Sequence, residues 1–248
     1  MGTGDRVSIG GIIVSGADPK RVLLRAIGPS LAPFGITNPL ADPVLELHAP
    51  DGSLITTNDN WMDSPDAGDI EATGLAPQND LESAIVATLD PGPYTAIVKG
   101  NEDGTGVGLV EAYDLDQNAA SQLGNISTRG FVETGNNVMI GGFILGPETA
   151  EDATILVRAI GPSLAPFGVT DPLADPILEL HDANGTLLMS NDNWKDNQQA
   201  EIAATGLQPT NDLESAILMA LPPGGYTAIV AGNGNLTGVA LVEVYRLP

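Results

Sequence analysis

The sequence predicts an all-β protein made of two tandem antiparallel β-sandwich domains with a jelly-roll or immunoglobulin-like layout. Short segments rich in Val, Ile, Leu and Thr alternate with turns, and the 248 residues include 30 Gly and 19 Pro. No long segment carries apolar residues at the helical spacing. Residues 25–48 reappear as residues 158–181 with only three differences, so the chain repeats one unit of roughly 120–130 residues.

Segments with the pattern of β-strands follow one another through each repeat. Asp51-Gly52 and its counterpart Asn184-Gly185 each lie between two such segments, which is a strong signal for a hairpin turn. Short helical turns are expected at residues 69–73 and 201–205. In chain order, the predicted strands of the first repeat are VSIGGIIVSG, RVLLRAIG, VLELHA, SLITTN, SAIVATL, YTAIVKG and GVGLVEAYDL.

The repeat predicts a domain at residues 1–116, a small and polar linker at 117–124, and a second domain at 125–248. The segment NISTRGFV at 125–132 has the pattern of a strand, but nothing before Thr3 corresponds to it. It is either an additional strand of the second domain or a bridge between the domains. If the fold requires this strand, the first domain has an open edge with which another chain can pair.

Charge excludes several classes of partner. The chain has 9 basic and 32 acidic residues and a net charge of −23, which repels nucleic acid and anionic membrane surfaces. No apolar segment approaches the roughly 20 residues of a membrane-spanning helix, so membrane insertion is not expected. The absence of cysteine removes disulfides and thiolate chemistry. Cations are the natural small partners of such a chain.

Many acidic residues recur at equivalent positions of both repeats, next to the shared amides Asn58/Asn191 and Asn60/Asn193. Hard cations such as Ca²⁺ bind six to eight oxygen atoms from carboxylates, amides and backbone carbonyls on loops. The alternative is that these residues form turns and caps or are solvated. The shared acids are Asp42/Asp175, Glu46/Glu179, Asp59/Asp192, Asp63/Asp196, Asp69/Glu201, Asp80/Asp212, Glu82/Glu214 and Glu111/Glu243.

The segments DPVLELHAPDGSLITTNDNW and DLESAIVATLDPGPYTAIV resemble the bacterial pre-peptidase C-terminal (PPC-like) domain family of secreted and surface proteins. The match covers about 40–60 residues of each repeat and leaves out RAIGPSLAPFG and the insert between Trp61 and Asp80. The resemblance implies an extracellular or cell-surface β-sandwich, often stabilised by calcium, that serves adhesion. It implies the ligands Asp42, Asn58, Asp59, Asp80, Asp175, Asn191, Asp192 and Asp212.

Three further pairs of shared residues favour structural roles. Arg25/Arg158 follow apolar strand segments and are expected to pair with Glu46/Glu179 or Glu111/Glu243. His48/His181 are the only histidines, and one histidine in each strand does not make a catalytic pair. Trp61/Trp194 either cover the edge of a core or form a platform for a sugar or another contact. The glycosylation sequons at Asn125, Asn184 and Asn235 are acceptors only in a secretory system that glycosylates.

Together these observations favour a non-enzymatic extracellular structural or adhesive protein, stabilised by calcium and self-assembling head to tail into a filament. Two similar units provide similar surfaces, and a contact between unlike surfaces propagates when it does not close. The alternative is a carbohydrate- or matrix-binding module that accompanies a secreted enzyme. A hydrolase that uses paired carboxylates requires an asymmetric set of residues in one repeat, and the sequence offers none.

Overall fold

The computed structural model describes residues 1–135, 137–146 and 151–247. The chain divides into two compact units, Met1–Asn125 and Ile126–Pro248, which we describe separately as the first and the second unit. The described helices are short, and none of them is long and apolar enough to cross a membrane.

The first unit is built almost entirely of strands. Its one α-helix is α1 (Ala67–Ala72), and 3-10 turns lie at Gly4–Arg6, Pro29–Phe34, Trp61–Asp63 and Asn101–Asp103. Its strands are β1 (Ser8–Gly16), β2 (Lys20–Ile27), β3 (Pro43–His48), β4 (Leu54–Asn58), β5 (Ser83–Leu89), β6 (Gly92–Gly100), β7 (Leu109–Asp114) and the beginning of β8 (Ser121–Val132).

Two antiparallel sheets face each other in the first unit. One has the strand order β4-β3-β6-β1, and β8 lies beside β1. The other has the order β5-β2-β7. Strand β2 is buried on both faces, because Val22 and Leu24 enter the core between the sheets while Leu23 lies in a second cluster beneath α1. This explains why RVLLRAI is nearly continuously apolar.

The second unit has the same arrangement. Its α-helix is α2 (Gln199–Ala204), and 3-10 turns lie at Pro162–Phe167 and Asn233–Asn235. Its strands are the end of β8, β9 (Met139–Leu145), β10 (Ala153–Ile160), β11 (Pro176–Asp182), β12 (Leu187–Asn191), β13 (Ser215–Leu221), β14 (Gly224–Gly232) and β15 (Gly238–Arg246).

The sheets of the second unit have the strand orders β12-β11-β14-β9 and β13-β10-β15, and β8 lies beside β15. The core between them holds apolar side chains of both sheets, including Val157, Leu178 and Val230, each fully buried. Val132 at the end of β8 is also fully buried in this core.

The predicted all-β class and the antiparallel sandwich are confirmed. Both short helical turns exist, although α1 and α2 begin earlier than expected, at Ala67 and Gln199. The predicted linker at 117–124 differs from the structure, because residues 121–124 belong to β8. The backbone N–H of Ala17 donates to the carbonyl of Ala120 at 3.0 Å, so pairing beside β1 outweighs the weak strand propensity of this polar segment. The segment at 125–132 is also part of β8.

Candidate functional site

Strand pairing brings the acidic loops of the first unit to one end of a sheet. Asp42 directly precedes β3 and Asp59 directly follows β4, and in this antiparallel pair Leu45 lies opposite Asn58. The two aspartates therefore meet although they are separated in sequence. Asn101, just after β6, joins them: its backbone N–H donates to the Asp42 carbonyl at 2.8 Å and its Nδ2 donates to Asp42 Oδ2 at 2.9 Å.

We call Asp42, Asp59, Asn60 and Asp63 the acidic cluster of the first unit. Asp42 Oδ1, Asp59 Oδ1 and Asn60 Oδ1 are buried from solvent and accept no hydrogen bond from the described residues. Two ionised carboxylates cannot satisfy each other because both only accept. Asp59, Asn60 and Asp63 also line an open depression of about 290 Å³. Converging oxygens beside an open, polar space fit a hard cation that completes its shell with water.

The electrostatics of this cluster are unfavourable without a bound positive charge. The pKa of Asp59 is raised above its ordinary value, first by burial, then by the charge and hydrogen-bonding contact of Asp42, and further by the charge of Asp63. A proton or a cation relieves this repulsion. Among the described residues, however, no group of three or more His, Cys, Asp or Glu side chains converges closely enough to form a metal site by itself.

The second unit repeats the cluster with Asp175, Asp192, Asn193 and Asp196. Asp175 Oδ1 and Asn193 Oδ1 are again buried without a hydrogen-bond partner in the described chain. Asn233 Nδ2 lies 3.0 Å from Asp175 Oδ2 and 3.3 Å from Asp192 Oδ2. Burial, followed by the charges of Asp175 and Asp196, raises the pKa of Asp192. The same electrostatic problem therefore occurs once in each unit.

The structure places only part of the predicted ligand set at these clusters. Asp42, Asp59, Asp175 and Asp192 come together as expected, but Asn58 and Asn191 do not contribute oxygen. Their Oδ1 atoms accept from the backbone N–H groups of Ala84 and Ala216, both at 2.9 Å. Asp80 and Asp212 lie on exposed turns, and Asp212 pairs with Lys195 at 2.5 Å. Asn60 Oδ1 and Asn193 Oδ1, which the predicted ligand set did not include, lie in the clusters and are buried without a hydrogen-bond partner among the described residues.

Arg25 makes the ion pair expected of it, and its partner is Glu111. Its Nε and Nη2 donate to Glu111 Oε2 at 2.9 and 2.5 Å, Nη1 to the Leu75 carbonyl at 2.5 Å, and Nη2 to the Tyr113 hydroxyl at 2.9 Å. The guanidinium also lies over the Tyr113 ring, 4.9 Å from its centre. Because Leu75 follows α1, this network fastens the loop after that helix to the sheet.

The second unit repeats the arginine network with Arg158, Glu243, Leu207 and Tyr245. Burial, followed by the charge of Glu243, raises the pKa of Tyr245 to about 12. Glu46, the other partner considered for Arg25, pairs instead with Lys99 at 2.6 Å.

The histidines and tryptophans have structural surroundings. His48 Nδ1 lies 3.1 Å from the Gly52 carbonyl and Nε2 lies 3.1 Å from Glu46 Oε2. The ring therefore links β3 to the turn of the β3–β4 hairpin. Trp61 and Trp194 are only 7% and 6% exposed. Trp61 packs against Leu23 beneath α1, which makes it the cover of a core edge and not a sugar platform.

Glu82, one of the acids shared by both repeats, holds the loop after β2 and does not join the acidic cluster. It is completely buried, and its carboxylate accepts from the backbone N–H of Gly28 at 3.0 Å, from that of Ser30 at 2.8 Å and from the Ser30 hydroxyl at 2.8 Å. A side chain at Gly28 would meet the Leu40 carbonyl at 2.0 Å, so only glycine fits there. Glu214 makes the same bonds to Gly161 and Ser163.

The loop that Glu82 holds carries an exposed aromatic side chain. We call residues 32–34 and 165–167 the apolar tips; each ends a 3-10 turn. Phe34 and Phe167 are 84% and 83% exposed. The sequence contains a sign that this loop has a role of its own. The segment RAIGPSLAPFG is identical in both repeats, although it lies outside the segments that carry the family resemblance.

The three sequons differ in accessibility. Asn125 is only 8% exposed within β8. Asn184 lies at the exposed tip of the β11–β12 hairpin, and Asn235 is exposed in the turn after β14. Of the three predicted acceptors, only Asn184 and Asn235 are accessible on the folded unit.

Comparisons with known proteins provide no family. No protein-family model matches the chain and no curated protein matches it. One similar solved structure is named "putative secreted protein from Eubacterium rectale"; it has 11% identity and a TM-score of 0.23, with 96% of this chain and 69% of that chain covered. Another is Sulfolobus Turreted Icosahedral Virus, with 12% identity, a TM-score of 0.24 and coverages of 98% and 90%. These low scores carry no argument, and the PPC-like resemblance stays a prediction.

Proposed function

We propose that this chain is a non-enzymatic structural or adhesive protein of the extracellular space or cell surface, which assembles head to tail. The observation that carries the proposal is the pair of apolar tips. Phe34 and Phe167 are exposed at equivalent points of both units, and a buried glutamate binds the backbone at the start of the 3-10 turn that each one ends. An exposed aromatic ring has few rotatable bonds and loses little conformational freedom when a partner covers it, which suits a contact surface.

The polar residues shared by both units support a structural role. Arg25 and Arg158 fasten the loops after the short helices, and Glu82 and Glu214 hold the loops that end in the apolar tips. These bonds explain why the residues recur without invoking a reaction. A surface that occurs in both units requires the same supporting residues in each unit, and these residues are the same. A single catalytic centre instead requires residues that one unit has and the other lacks.

We further propose that each acidic cluster binds Ca²⁺. The support is the set of buried oxygens that accept no hydrogen bond from the described residues, Asp42 Oδ1, Asp59 Oδ1 and Asn60 Oδ1 in the first unit. A bound cation satisfies these oxygens and removes the repulsion that raises the pKa of Asp59. Such a site stabilises the folded unit and makes assembly sensitive to calcium.

The alternative function, a module that binds carbohydrate or matrix, has less support. Stacking on a sugar requires an exposed aromatic surface, and both tryptophans are buried. Phe34 and Phe167 remain as exposed rings, but their flanking Pro33 and Pro166 make the surface apolar and not suited to hydrogen-bonding a sugar.

Sedimentation and electron microscopy of the purified chain, with and without Ca²⁺, test the proposal. We expect concentration-dependent assembly that Phe34→Ser or Phe167→Ser weakens. Leu54→Ser is the matched control, because Leu54 is also exposed, at 54%, but lies on β4 away from the tips. A chain that stays monomeric at high concentration in both conditions refutes self-assembly. Assembly that tolerates both phenylalanine substitutions refutes the role of the tips.

A further inference from the structure

The chain contains the dipeptide Asn-Gly twice, and the structure gives the two copies different surroundings. Asn184-Gly185 lies at the tip of the β11–β12 hairpin, and Asn233-Gly234 lies in the 3-10 turn after β14. An asparagine followed by glycine loses ammonia readily, because glycine has no side chain to hinder attack by its backbone nitrogen on the asparagine amide. The same reaction can therefore be compared in two settings of one chain.

The side chain of Asn184 is exposed and makes no hydrogen bond to the described residues. The hairpin uses Asp182 instead, whose Oδ1 accepts from the backbone N–H groups of Asn184 and Thr186 at 2.8 and 2.9 Å. The Asn184 amide is therefore free to turn toward the backbone nitrogen of Gly185. The Gly185 N–H donates to the Asp182 carbonyl at 3.0 Å, and this bond has to open first. Exposed loop tips open at little cost in free energy, since few buried contacts hold them.

Asn233 is half-buried and is fastened through both its backbone and its side chain. Its backbone N–H donates to the Asp175 carbonyl at 2.9 Å, and its Nδ2 donates to Asp175 Oδ2 at 3.0 Å. Its carbonyl accepts from the Leu236 N–H at 3.2 Å. Turning the Asn233 amide toward Gly234 breaks a hydrogen bond to a carboxylate, which is stronger than a bond between neutral groups. The structure thus restrains one Asn-Gly dipeptide and leaves the other free.

The first unit carries an acid at the equivalent position of its hairpin, where Asp51-Gly52 corresponds to Asn184-Gly185. Asp51 Oδ1 accepts from the Ser53 hydroxyl at 2.6 Å and from the Ser53 N–H at 2.9 Å, and these bonds lower the pKa of Asp51. An ionised carboxylate resists attack by a backbone nitrogen, so Asp51 is stable there. An aspartate at the tip is therefore compatible with this hairpin.

We propose that Asn184 is a site of spontaneous deamidation, whereas Asn233 is protected by its contact with Asp175. The backbone nitrogen of Gly185 attacks Asn184 Cγ: the N–Cγ bond forms, the Cγ–Nδ2 bond breaks, and Nδ2 leaves as ammonia with the proton of the Gly185 N–H. Water then opens the resulting succinimide at one of its two carbonyls and leaves aspartate or isoaspartate at this position. No oxidation or reduction takes place.

Deamidation competes with glycosylation for one atom. Asn184 Nδ2 is the atom to which a glycan is attached at this sequon, and the same atom leaves as ammonia. A chain that is modified in one way is therefore closed to the other modification. Deamidation also adds a negative charge to the hairpin tip, close to the carboxylate of Asp182.

Incubation of the purified full chain at mildly alkaline pH, in water labelled with heavy oxygen, tests the inference by peptide mass spectrometry. Opening of the succinimide incorporates one labelled oxygen, which distinguishes deamidation during the incubation from deamidation during digestion. Trypsin cleaves after Lys195, so the two Asn-Gly dipeptides fall in different peptides. We expect Asn184 to deamidate at least about tenfold faster than Asn233 in the folded chain.

The chain unfolded in urea is the matched reference, because both dipeptides then lose their surroundings and should react at similar rates. Equal rates in the folded chain, a faster reaction at Asn233, or no reaction at Asn184 while the unfolded chain reacts overturns the inference. Asn184→Gln should remove the reaction at the hairpin tip, since attack on the longer side chain forms a less favourable six-membered ring. Persistent labelling at that position overturns the assigned site.

Asp175→Ala tests what protects the second dipeptide. It should accelerate deamidation at Asn233 and leave the rate at Asn184 unchanged, and a melting curve establishes that the variant folds. A folded Asp175→Ala chain in which Asn233 stays unreactive overturns the protective role of Asp175. Acceleration at both sites shows general loosening of the unit and overturns that role as well.

Discussion

Asp59 lies against Asp42, and burial together with the charge of Asp42 raises the pKa of Asp59. Neither carboxylate can donate a hydrogen bond when ionised, so their Oδ1 atoms stay without a partner in the described chain. In the second unit, burial and the charge of Asp175 likewise raise the pKa of Asp192, although there Asn233 Nδ2 lies within 3.5 Å of both carboxylate oxygens of Asp192. A folded state that places these charges together has a cost near neutral pH, and a cation removes it.

Calcium should therefore stabilise the folded chain. At a hundredfold excess over the dissociation constant, we expect about 2.7 kcal/mol of added free energy of unfolding for each site, measured by thermal or chemical unfolding. The double variant Asp59→Asn/Asp192→Asn should lose this effect. Asp80→Asn/Asp212→Asn should keep it, since both residues are exposed and outside the clusters. A melting temperature that does not respond to Ca²⁺ or to EGTA contradicts the metal site.

The raised pKa values of Asp59 and Asp192 also predict a pH dependence in metal-free buffer. Well below the ordinary aspartate pKa of about 3.9, both aspartates are protonated in the folded and unfolded states, and their contribution to stability is fully present. As the pH rises through the raised values, the unfolded chain ionises first and this contribution is lost. The wild-type chain should therefore lose free energy of unfolding relative to Asp59→Asn/Asp192→Asn. A difference that stays constant from pH 3 to pH 8 would falsify the electrostatic account.

Arg25→Ala should destabilise the first unit by about 2–3 kcal/mol, because it leaves the half-buried Glu111 without its positive partner. It also removes the bond to the Leu75 carbonyl. Arg21→Ala is the matched control: its pair with Asp69 is exposed, and its loss should cost less than about 0.5 kcal/mol. Urea unfolding measures both variants. Equal effects would show that the Arg25 network adds nothing beyond a surface ion pair.

Glu82→Gln should destabilise the first unit by about 2–3 kcal/mol, because one carboxylate oxygen is replaced by an NH₂ group that faces N–H donors. The Gly28–Ser30 amides should then exchange hydrogen faster, and the apolar tip should lose its fixed position. Exposed Glu71, also in the first unit, provides the control Glu71→Gln. If amide hydrogen exchange at Gly28 and Ser30 is unchanged in Glu82→Gln, the loop keeps its conformation without the Glu82 carboxylate.

Expression in a glycosylating secretory system should modify Asn184 and Asn235 and leave Asn125 unmodified. The first two are exposed in turns, whereas Asn125 is 8% exposed within a paired strand. Mass spectrometry of tryptic and glycosidase-treated peptides provides the measurement. Glycosylation of Asn125 would mean that β8 has not yet formed when the chain is glycosylated.

Local patterns in the sequence were sufficient to predict much of the fold. Alternating apolar residues and turn signals located the strands, since these features act between near neighbours. The resemblance indicated Asp42 and Asp59 correctly as neighbours, but it also included Asn58, whose amide supports the backbone of Ala84. A polar side chain can bind a cation or hydrogen-bond to a neighbouring backbone, and the strand that lies beside it decides between the two. The spacing of residues in the sequence does not show which strand that is.

The apolar tips are a feature that the sequence analysis did not predict. Phe34 is 84% exposed at the end of a 3-10 turn, and buried Glu82 accepts from the backbone N–H of Ser30 at the start of that turn. Glu82 is separated from Ser30 by β3, β4 and α1, so this support exists only when β2 and β5 pair.

The sequence by itself determined the all-β class, the repeat, the acidic charge and the kinds of atoms available for binding. Composition and periodicity determine these because they reflect local propensity and burial. The tertiary structure alone decided that Asp42 and Asp59 share one cluster, that Glu82 binds the backbone of the loop that carries Phe34, and that β8 lies beside β15 in the second unit. These features depend on strand order, which brings together groups that the chain keeps far apart.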